Sequence, residues 1–231
     1  MPQKHEEQVQ KKLLNTLLTT FDIDETLDKY SATNPYAEWY FNAMLYPYET
    51  AEYHKNKFGS DFKYEDFQPM FEDSMLNVDP NNWAEYFAEV GAKYVVFVTK
   101  HHDGYQLWPS SIVNKFKPNY FPTRDFVRDF GDAVRANDMK NGLYYSGGVD
   151  VTYRPGKIHP IDLITTSVLP IIGESVVPEG EDYAKYCHDQ IKELIDNYQP
   201  AIIWNDISYP EKGDAPGLYD YYQSKVPYGQ M

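Results

Sequence analysis

The stretch that decides the fold is Tyr94-Val95-Val96-Phe97-Val98-Thr99, which is followed at once by Lys100-His101-His102-Asp103-Gly104. An unbroken run of β-branched and aromatic residues predicts a fully buried β-strand. Two imidazoles, an ammonium and a carboxylate then follow where that strand leaves the core. Because ligands of α/β folds bind at the carboxyl ends of parallel strands, this junction predicts one wall of a binding pocket.

A second apolar run, residues 201–204, ends in the same way and precedes Asn205 and Asp206. If the two strands lie in one parallel sheet, their polar ends reach one rim and line a pocket for a polar ligand. A carboxylate at the position of Asp206 can attack the anomeric carbon of a sugar. It can equally cap the following turn, and the residues alone leave both readings open.

The acidic composition argues against several classes of function. The 231 residues carry a net charge of −14, whereas a nucleic-acid groove needs a basic face. No apolar run approaches the ~20 residues of a membrane helix, and the first residues lack the apolar core of a signal peptide. The single cysteine, Cys187, fits a reducing compartment. We therefore expect a soluble, cytoplasmic protein that binds neither nucleic acid nor membrane.

Helical and strand patterns alternate along the chain. Apolar residues at helical spacing predict an amphipathic helix over residues 3–20. Further helices are predicted over 80–90, 125–137 and 181–198, with strands at 142–146 and 201–204 and a long loop over 149–180. A succession of strand, helix, strand, helix and strand indicates βαβ units, and hence a parallel sheet.

Histidines and tyrosines at the strand ends are candidates for the same pocket. Continued strand alternation would send His101 and His102 to opposite sides, so we expect one imidazole in the pocket unless the chain turns. Hydrogen bonds to sugar hydroxyls are favoured over a metal, because metal sites prefer other spacings and a third ligand nearby. Of Tyr144 and Tyr145, one is expected at the rim and the other in the core.

Glu38 and Trp39 pair a hydrogen-bond acceptor with an aromatic ring that can stack on a sugar. A surface glutamate beside a core tryptophan explains the same pair equally well. The two residues stay candidates for a sugar site.

Five motifs, taken in order, resemble those of the α-L-fucosidases of glycoside hydrolase family 29. They are Asn34-Pro35-Tyr36-Ala37-Glu38-Trp39-Tyr40, Gly91-Ala92-Lys93-Tyr94-Val95, Thr99 to Tyr105 with Leu107-Trp108, Gly142 to Gly148, and Trp204-Asn205-Asp206-Ile207. The resemblance implies a retaining exo-glycosidase that removes terminal α-L-fucose on a (β/α)-barrel, without a metal or other cofactor. It implies that Asp206 is the nucleophile. It further implies that the fucose is held by Glu38, Trp39, His101, His102, Tyr145 and Trp204.

The chain also departs from the family pattern. The helix of residues 3–20 stands where the family has a first strand ending in His-Trp-Gly, and the family's acid/base glutamate belongs to a later strand. We therefore predict an α/β fold, an incomplete (β/α)-barrel-like parallel sheet with flanking helices and an N-terminal amphipathic helix. The predicted domains are a helical segment, 1–33, and a partial barrel, 34–231.

Three strands cannot close a barrel, so we expect a homo-oligomer to cover the open edges of the sheet. Within the chain, Glu38 is the first candidate for the acid/base. The predicted substrate is a fucosylated oligosaccharide or glycoconjugate. The alternative function is that of a catalytically impaired fucose-binding module, or of an incomplete part of a split fucosidase.

Overall fold

The computed structural model describes residues 39–158 and 176–231, which belong to two compact units. The first unit contains the described residues 39–65, 155–158 and 176, and the second contains 66–154 and 177–231. The predicted helix over 3–20 and the predicted domain boundary after residue 33 lie outside the described residues, so both stay predictions.

The first unit contains two helices, α1 (Tyr40–Met44) and α2 (Glu49–Phe58). The buried imidazole of His54 joins them: its Nε2 donates to the Phe62 carbonyl and its Nδ1 accepts from the Tyr40 hydroxyl, both at 2.9 Å. The Asn42 side chain exchanges two hydrogen bonds with the backbone of Ile158, at 2.8 and 2.9 Å. These buried bonds hold a helix that is too short to be stable by itself.

The second unit is built around a parallel three-stranded sheet, which confirms the predicted α/β class. The strands β1 (Tyr94–Lys100), β2 (Lys140–Ser146) and β3 (Ile202–Asp206) lie in the order β1-β2-β3. Helix α3 (Gln68–Leu76) and helix α4 (Pro80–Glu89) precede the sheet, α5 (Phe126–Ala136) and α6 (Glu181–Tyr198) connect its strands, and α7 (Ala215–Lys225) follows it. Two 3₁₀ turns complete the described elements, Tyr64–Phe67 and Glu211–Gly213.

Helices α5 and α6 cover one face of the sheet and form the core with it. Both helices have the bounds that hydrophobic periodicity predicts, to within a residue at each end. Phe130 of α5 stacks on Phe97 of β1 with ring centroids 4.5 Å apart. The inward-facing side of α6 is buried, with the residues Tyr183, Tyr186, Cys187, Ile191, Leu194 and Ile195.

Capping residues set the helix starts that the sequence indicates. The Asp79 carboxylate accepts from the Asn81 backbone N–H at 3.0 Å, with Pro80 in the first helical position. The Asp125 carboxylate accepts from the Arg128 N–H at 3.0 Å and so caps α5. Helices α2, α3 and α7 were not anticipated, because helices with weak apolar stripes give little periodic signal.

The expectation that β1 is fully buried is wrong. Tyr94 is 59% exposed and Val98 is 40% exposed, whereas Thr99 and Lys100 are completely buried. The strand lies at the edge of the sheet, and among the described residues the packed helices cover only one of its faces. The apolar run therefore indicates a β-strand here, but it does not indicate that both faces of the strand are buried.

Two further expectations can be compared with the described residues. Residues 149–158 and 176–180 contain neither helix nor strand, as the predicted long loop requires, and the rest of that segment lies outside the described residues. Across the described part of the chain, every helix is too short or too polar to cross a membrane.

Candidate active site

The parallel register brings the carboxyl ends of the three strands to one rim. Tyr144 pairs with Trp204, and Ser146 pairs with Asp206. The chain leaves β1 after Lys100, next to Tyr145 of β2. The predicted meeting of two polar strand ends is thus confirmed.

The carboxylate of Asp206 is held in one orientation by two hydrogen-bond donors. The Tyr144 hydroxyl donates to Oδ2 at 2.6 Å, and the backbone N–H of Ile207 donates to Oδ1 at 2.9 Å. The Asp206 side chain is one-third exposed. An accessible, oriented carboxylate at a strand end can act as a nucleophile on a bound ligand.

A strained turn follows Asp206 directly. The Ser208 N–H donates back to the Asp206 carbonyl at 2.8 Å, which closes a three-residue turn around Ile207. Ile207 has φ = +64°, a value that a β-branched residue adopts only at a cost on the order of 1–3 kcal/mol. The neighbouring loop approaches this turn closely, because a Cβ on Gly148 would lie 2.6 Å from the Ser208 nitrogen. The turn aims the Ile207 N–H at the carboxylate.

Both histidines reach the site, contrary to the simple expectation from strand alternation. The strand ends at Lys100 and the chain turns, so the rings of His101 and His102 lie side by side with centroids 3.9 Å apart. His101 also stacks on the Tyr144 ring at 5.6 Å. Strand alternation does not apply beyond the end of the hydrogen-bonded ladder.

His102 is a neutral imidazole at physiological pH. Its burial, together with the neighbouring His101 and Lys100, lowers the pKa of His102 to about 2. Its Nε2 lies 3.8 Å from Asp206 Oδ2, and because the ring is uncharged this contact is not an ion pair. A neutral ring can exchange a hydrogen bond with a hydroxyl group of a ligand.

Lys100, which directly precedes the two histidines in the chain, forms a buried ion pair with Asp150. The Lys100 ammonium donates to Asp150 Oδ2 at 2.8 Å, and both side chains are completely buried. The ammonium also lies 4.4 Å from the centroid of the Tyr145 ring. One residue beyond Asp150, the Val151 N–H donates to the His102 carbonyl at 2.9 Å. The pair therefore ties the loop after β2 to the turn after β1.

Tyr144, and not Tyr145, is the tyrosine at the rim. Tyr145 is completely buried against helix α6, where its hydroxyl donates to the Gln190 side chain at 2.8 Å. Burial raises the pKa of Tyr145, so the group stays a neutral donor. The position predicted for Tyr145 is thus corrected to Tyr144. In the observed register, Tyr144 and Ser146 share a face with Trp204 and Asp206.

The remaining predicted site residues are Trp204, Trp39 and Glu38. The indole of Trp204 is 58% exposed on the same face of the sheet as Asp206, where a sugar ring can stack on it. Trp39 belongs to the first unit, where it precedes α1. Glu38 lies outside the described residues, so its role stays a prediction.

Within the described residues, His101, His102 and Asp206 also form a group that could hold a metal ion, since one ligand atom of each lies within 4.8 Å of the others. Asp206 is thus the third nearby ligand that the sequence did not indicate for the two histidines. The same three side chains can instead form hydrogen bonds with the hydroxyl groups of a ligand, and the absence of a metal stays a prediction.

Comparison with known proteins places these features in a family. The sequence model of the family described as α-L-fucosidase matches residues 26–229. The chain belongs to the α-L-fucosidase family. These enzymes are glycoside hydrolases, as the resemblance of the five motifs indicated.

Individual members of the α-L-fucosidase family support the assignment. Human plasma α-L-fucosidase is 32% identical over 183 residues, which are 78% of this chain and 35% of that protein. The α-L-fucosidase of Dictyostelium discoideum is 29% identical over 198 residues, which are 84% of this chain and 39% of that protein. The chain thus spans between a third and two fifths of the length of these relatives.

A solved structure of the α-L-fucosidase family has the same fold over most of the chain. The α-fucosidase of Thermotoga maritima in complex with fucose superposes with a TM-score of 0.75 at 37% sequence identity. The similarity covers 87% of this chain and 46% of that one. The small parallel sheet with flanking helices is therefore similar to part of a fucosidase catalytic domain.

Proposed function

We propose that this chain carries the nucleophile half of a retaining α-L-fucosidase, which cleaves terminal α-L-fucose from oligosaccharides or glycoconjugates, and that Asp206 is the nucleophile. The observation that carries the proposal is the doubly held Asp206 carboxylate beside two imidazoles at the rim of the sheet. The choice of α-L-fucose as the sugar rests on membership of the α-L-fucosidase family.

In the proposed reaction, Asp206 Oδ attacks the anomeric carbon as the bond to the leaving-group oxygen breaks. An acid gives its proton to that oxygen, and a covalent fucosyl-enzyme forms. Water then attacks the same carbon and gives a proton to the conjugate base of that acid, which releases fucose and restores both the acid and the Asp206 carboxylate. The Tyr144 hydroxyl and the Ile207 N–H hold the carboxylate in line for both steps.

The remaining described groups bind the sugar in this proposal. His101 and His102 bond to fucose hydroxyls, and the exposed face of Trp204 stacks on the C–H face of the ring. A retaining glycosidase needs a second carboxyl about 5–5.5 Å from the nucleophile. Glu38 is our candidate within the chain.

We further infer that the three-stranded sheet is a segment of a (β/α)-barrel, completed in a homo-oligomer. Exposed apolar side chains on the face of the sheet away from the helices support this, above all Trp204 and Val98. Light scattering on a size-exclusion peak tests the assembly, and a monodisperse monomer at micromolar concentration would contradict it. A cytoplasmic location stays a prediction.

The test of function is hydrolysis of an aryl α-L-fucoside by the parent chain and by Asp206→Ala. We expect the substitution to lower kcat on the order of 10³-fold or more, because it removes the group that forms the intermediate. Azide should restore part of the activity. The matched control is Asp220→Ala, which removes an exposed carboxylate from α7 and should leave the rate unchanged.

Two results would reject the proposal. Activity of Asp206→Ala within tenfold of the parent would assign the nucleophile to another carboxylate. A parent chain that binds fucose without cleaving any fucoside would favour the alternative, a fucose-binding module.

A further inference from the structure

The hydrogen bonds behind His102 determine which of its two ring nitrogens carries the proton. His102 Nδ1 lies 2.7 Å from the hydroxyl oxygen of Ser146, and the same oxygen lies 2.6 Å from the carbonyl oxygen of Val149. A carbonyl oxygen only accepts, so the single proton of the Ser146 hydroxyl is donated to Val149. The Ser146 oxygen therefore accepts from His102, and Nδ1 carries the proton.

The arrangement is rigid because it is buried. Ser146 is completely buried and His102 is 5% exposed, so water does not compete for these hydrogen bonds. The His102 backbone is held as well, since its carbonyl accepts from the Val151 N–H at 2.9 Å. Ser146 ends β2 and Val149 and Val151 belong to the loop that follows, so one segment holds both the ring and its backbone.

The assigned tautomer gives the pocket side of the ring a definite character. A neutral imidazole with its proton on Nδ1 presents a lone pair on Nε2. This atom lies 3.8 Å from Asp206 Oδ2, which is also an acceptor and already receives the Tyr144 hydroxyl. Two acceptors facing the same space favour a donor between them, and a ligand hydroxyl is such a donor.

The opposite tautomer would place a proton on Nε2, the atom that lies 3.8 Å from Asp206 Oδ2. The ring would then offer a ligand a donor instead of an acceptor.

We propose that Ser146 is a positioning residue that holds His102 in the Nδ1–H tautomer, so that Nε2 accepts a hydrogen bond from one sugar hydroxyl and the site selects ligands that carry that hydroxyl. The identity of the sugar rests on the proposed function, whereas the tautomer can be measured without any substrate.

The first measurement is a long-range ¹H–¹⁵N correlation spectrum of the six histidine rings at neutral pH, with His102 assigned from its missing signals in His102→Gln. We expect the parent chain to show Nδ1 protonated and Nε2 unprotonated. In Ser146→Ala the acceptor is lost, and the signals should show a mixture of tautomers or a shift toward Nε2–H.

The second measurement compares an aryl α-L-fucoside with its three monodeoxy analogues. In the parent, loss of the hydroxyl that donates to His102 should reduce kcat/KM by roughly tenfold or more, since the hydrogen bond to the buried ring is lost. In Ser146→Ala the penalty for that one analogue should shrink while the other two penalties persist.

Matched variants separate positioning from stability. Ser110→Ala removes another buried serine hydroxyl, which donates to Glu193 at 2.6 Å away from the site, and should change neither the tautomer nor the discrimination. Ser146→Thr keeps the hydroxyl and should restore the Nδ1–H signals if Ser146→Ala fails to fold.

Distinct results overturn the inference. An Nε2–H or doubly protonated His102 in the folded parent would refute it, even if the chain hydrolyses fucosides. An unchanged tautomer in Ser146→Ala would refute the role of Ser146. A parent with the expected tautomer but without fucosidase activity would reject the proposed function and leave the tautomer assignment standing.

Discussion

Breaking the buried pair of Lys100 and Asp150 should destabilise the chain more than any other single loss of charge in the second unit. Both side chains are completely buried, and their charged atoms lie 2.8 Å apart. Asp150 Oδ1 also accepts from the backbone N–H and hydroxyl of Thr152, at 2.9 and 2.5 Å. Lys100→Met would leave these bonds intact but strand a carboxylate in the core without its cation.

The expected loss of unfolding free energy is about 3–5 kcal/mol, the usual cost of removing one partner of a buried ion pair. Asp150→Asn should cost a similar amount, because it leaves the ammonium without its anion. The double variant should lose less than the two singles together, since no uncompensated charge remains. The measurement is urea denaturation followed by tryptophan fluorescence and circular dichroism.

The control is the exposed pair of Lys115 and Asp182, whose charged atoms are just as close at 2.6 Å. Because solvent screens this pair, Lys115→Met should leave the urea midpoint unchanged within error. Losses below about 1 kcal/mol for both buried single variants would refute the reasoning. So would a double variant whose loss is the simple sum to within about 0.5 kcal/mol.

Two further predictions concern stability. The unfolded chain binds a proton at His102 near its ordinary pKa of 6.5, whereas the folded chain does so only near a pKa of about 2. This group therefore adds stability above pH 6.5 and loses up to about 1.4 kcal/mol per pH unit below it. Urea denaturation at pH 7 and pH 5 should show a smaller difference in unfolding free energy for His102→Gln than for the parent, and an equal difference would show that His102 is not responsible. Separately, Asp125→Ala should lower the unfolding free energy by about 1 kcal/mol or more, because Asp125 caps α5 and also accepts from the Tyr198 hydroxyl at 3.0 Å. Asp125→Asn should recover most of this loss of unfolding free energy. If the asparagine variant loses as much as the alanine variant, the cap is not responsible.

Helices and strands with strong periodicity were predictable from local patterns. The apolar stripe of α6, the caps at Asp79 and Asp125 and the β-branched run of β1 each lie within a few neighbouring residues. Local spacing determines these features, so the α/β class and the meeting of two polar strand ends followed from the chain alone. The five motifs were enough to predict the family.

The details of the site depend on contacts between distant segments. Tyr144 reaches Asp206 across 62 positions and Lys100 reaches Asp150 across 50, and neither pairing has a local signal. Whether Tyr144 or Tyr145 lines the rim depends on the face that the helices cover, which periodicity cannot distinguish.

The conformations of the turns that follow β1 and β3 also depend on distant segments and could not be predicted from local sequence. Ile207 adopts a positive φ that its own side chain disfavours, in a turn whose neighbours Asp206 and Ser208 pack closely against Gly148 of a distant loop. His101 and His102 share one pocket because the chain turns after Lys100, and the buried partner of Lys100 lies on another strand's loop. Local propensity sets which elements form, while packing between elements selects strained conformations such as that of Ile207.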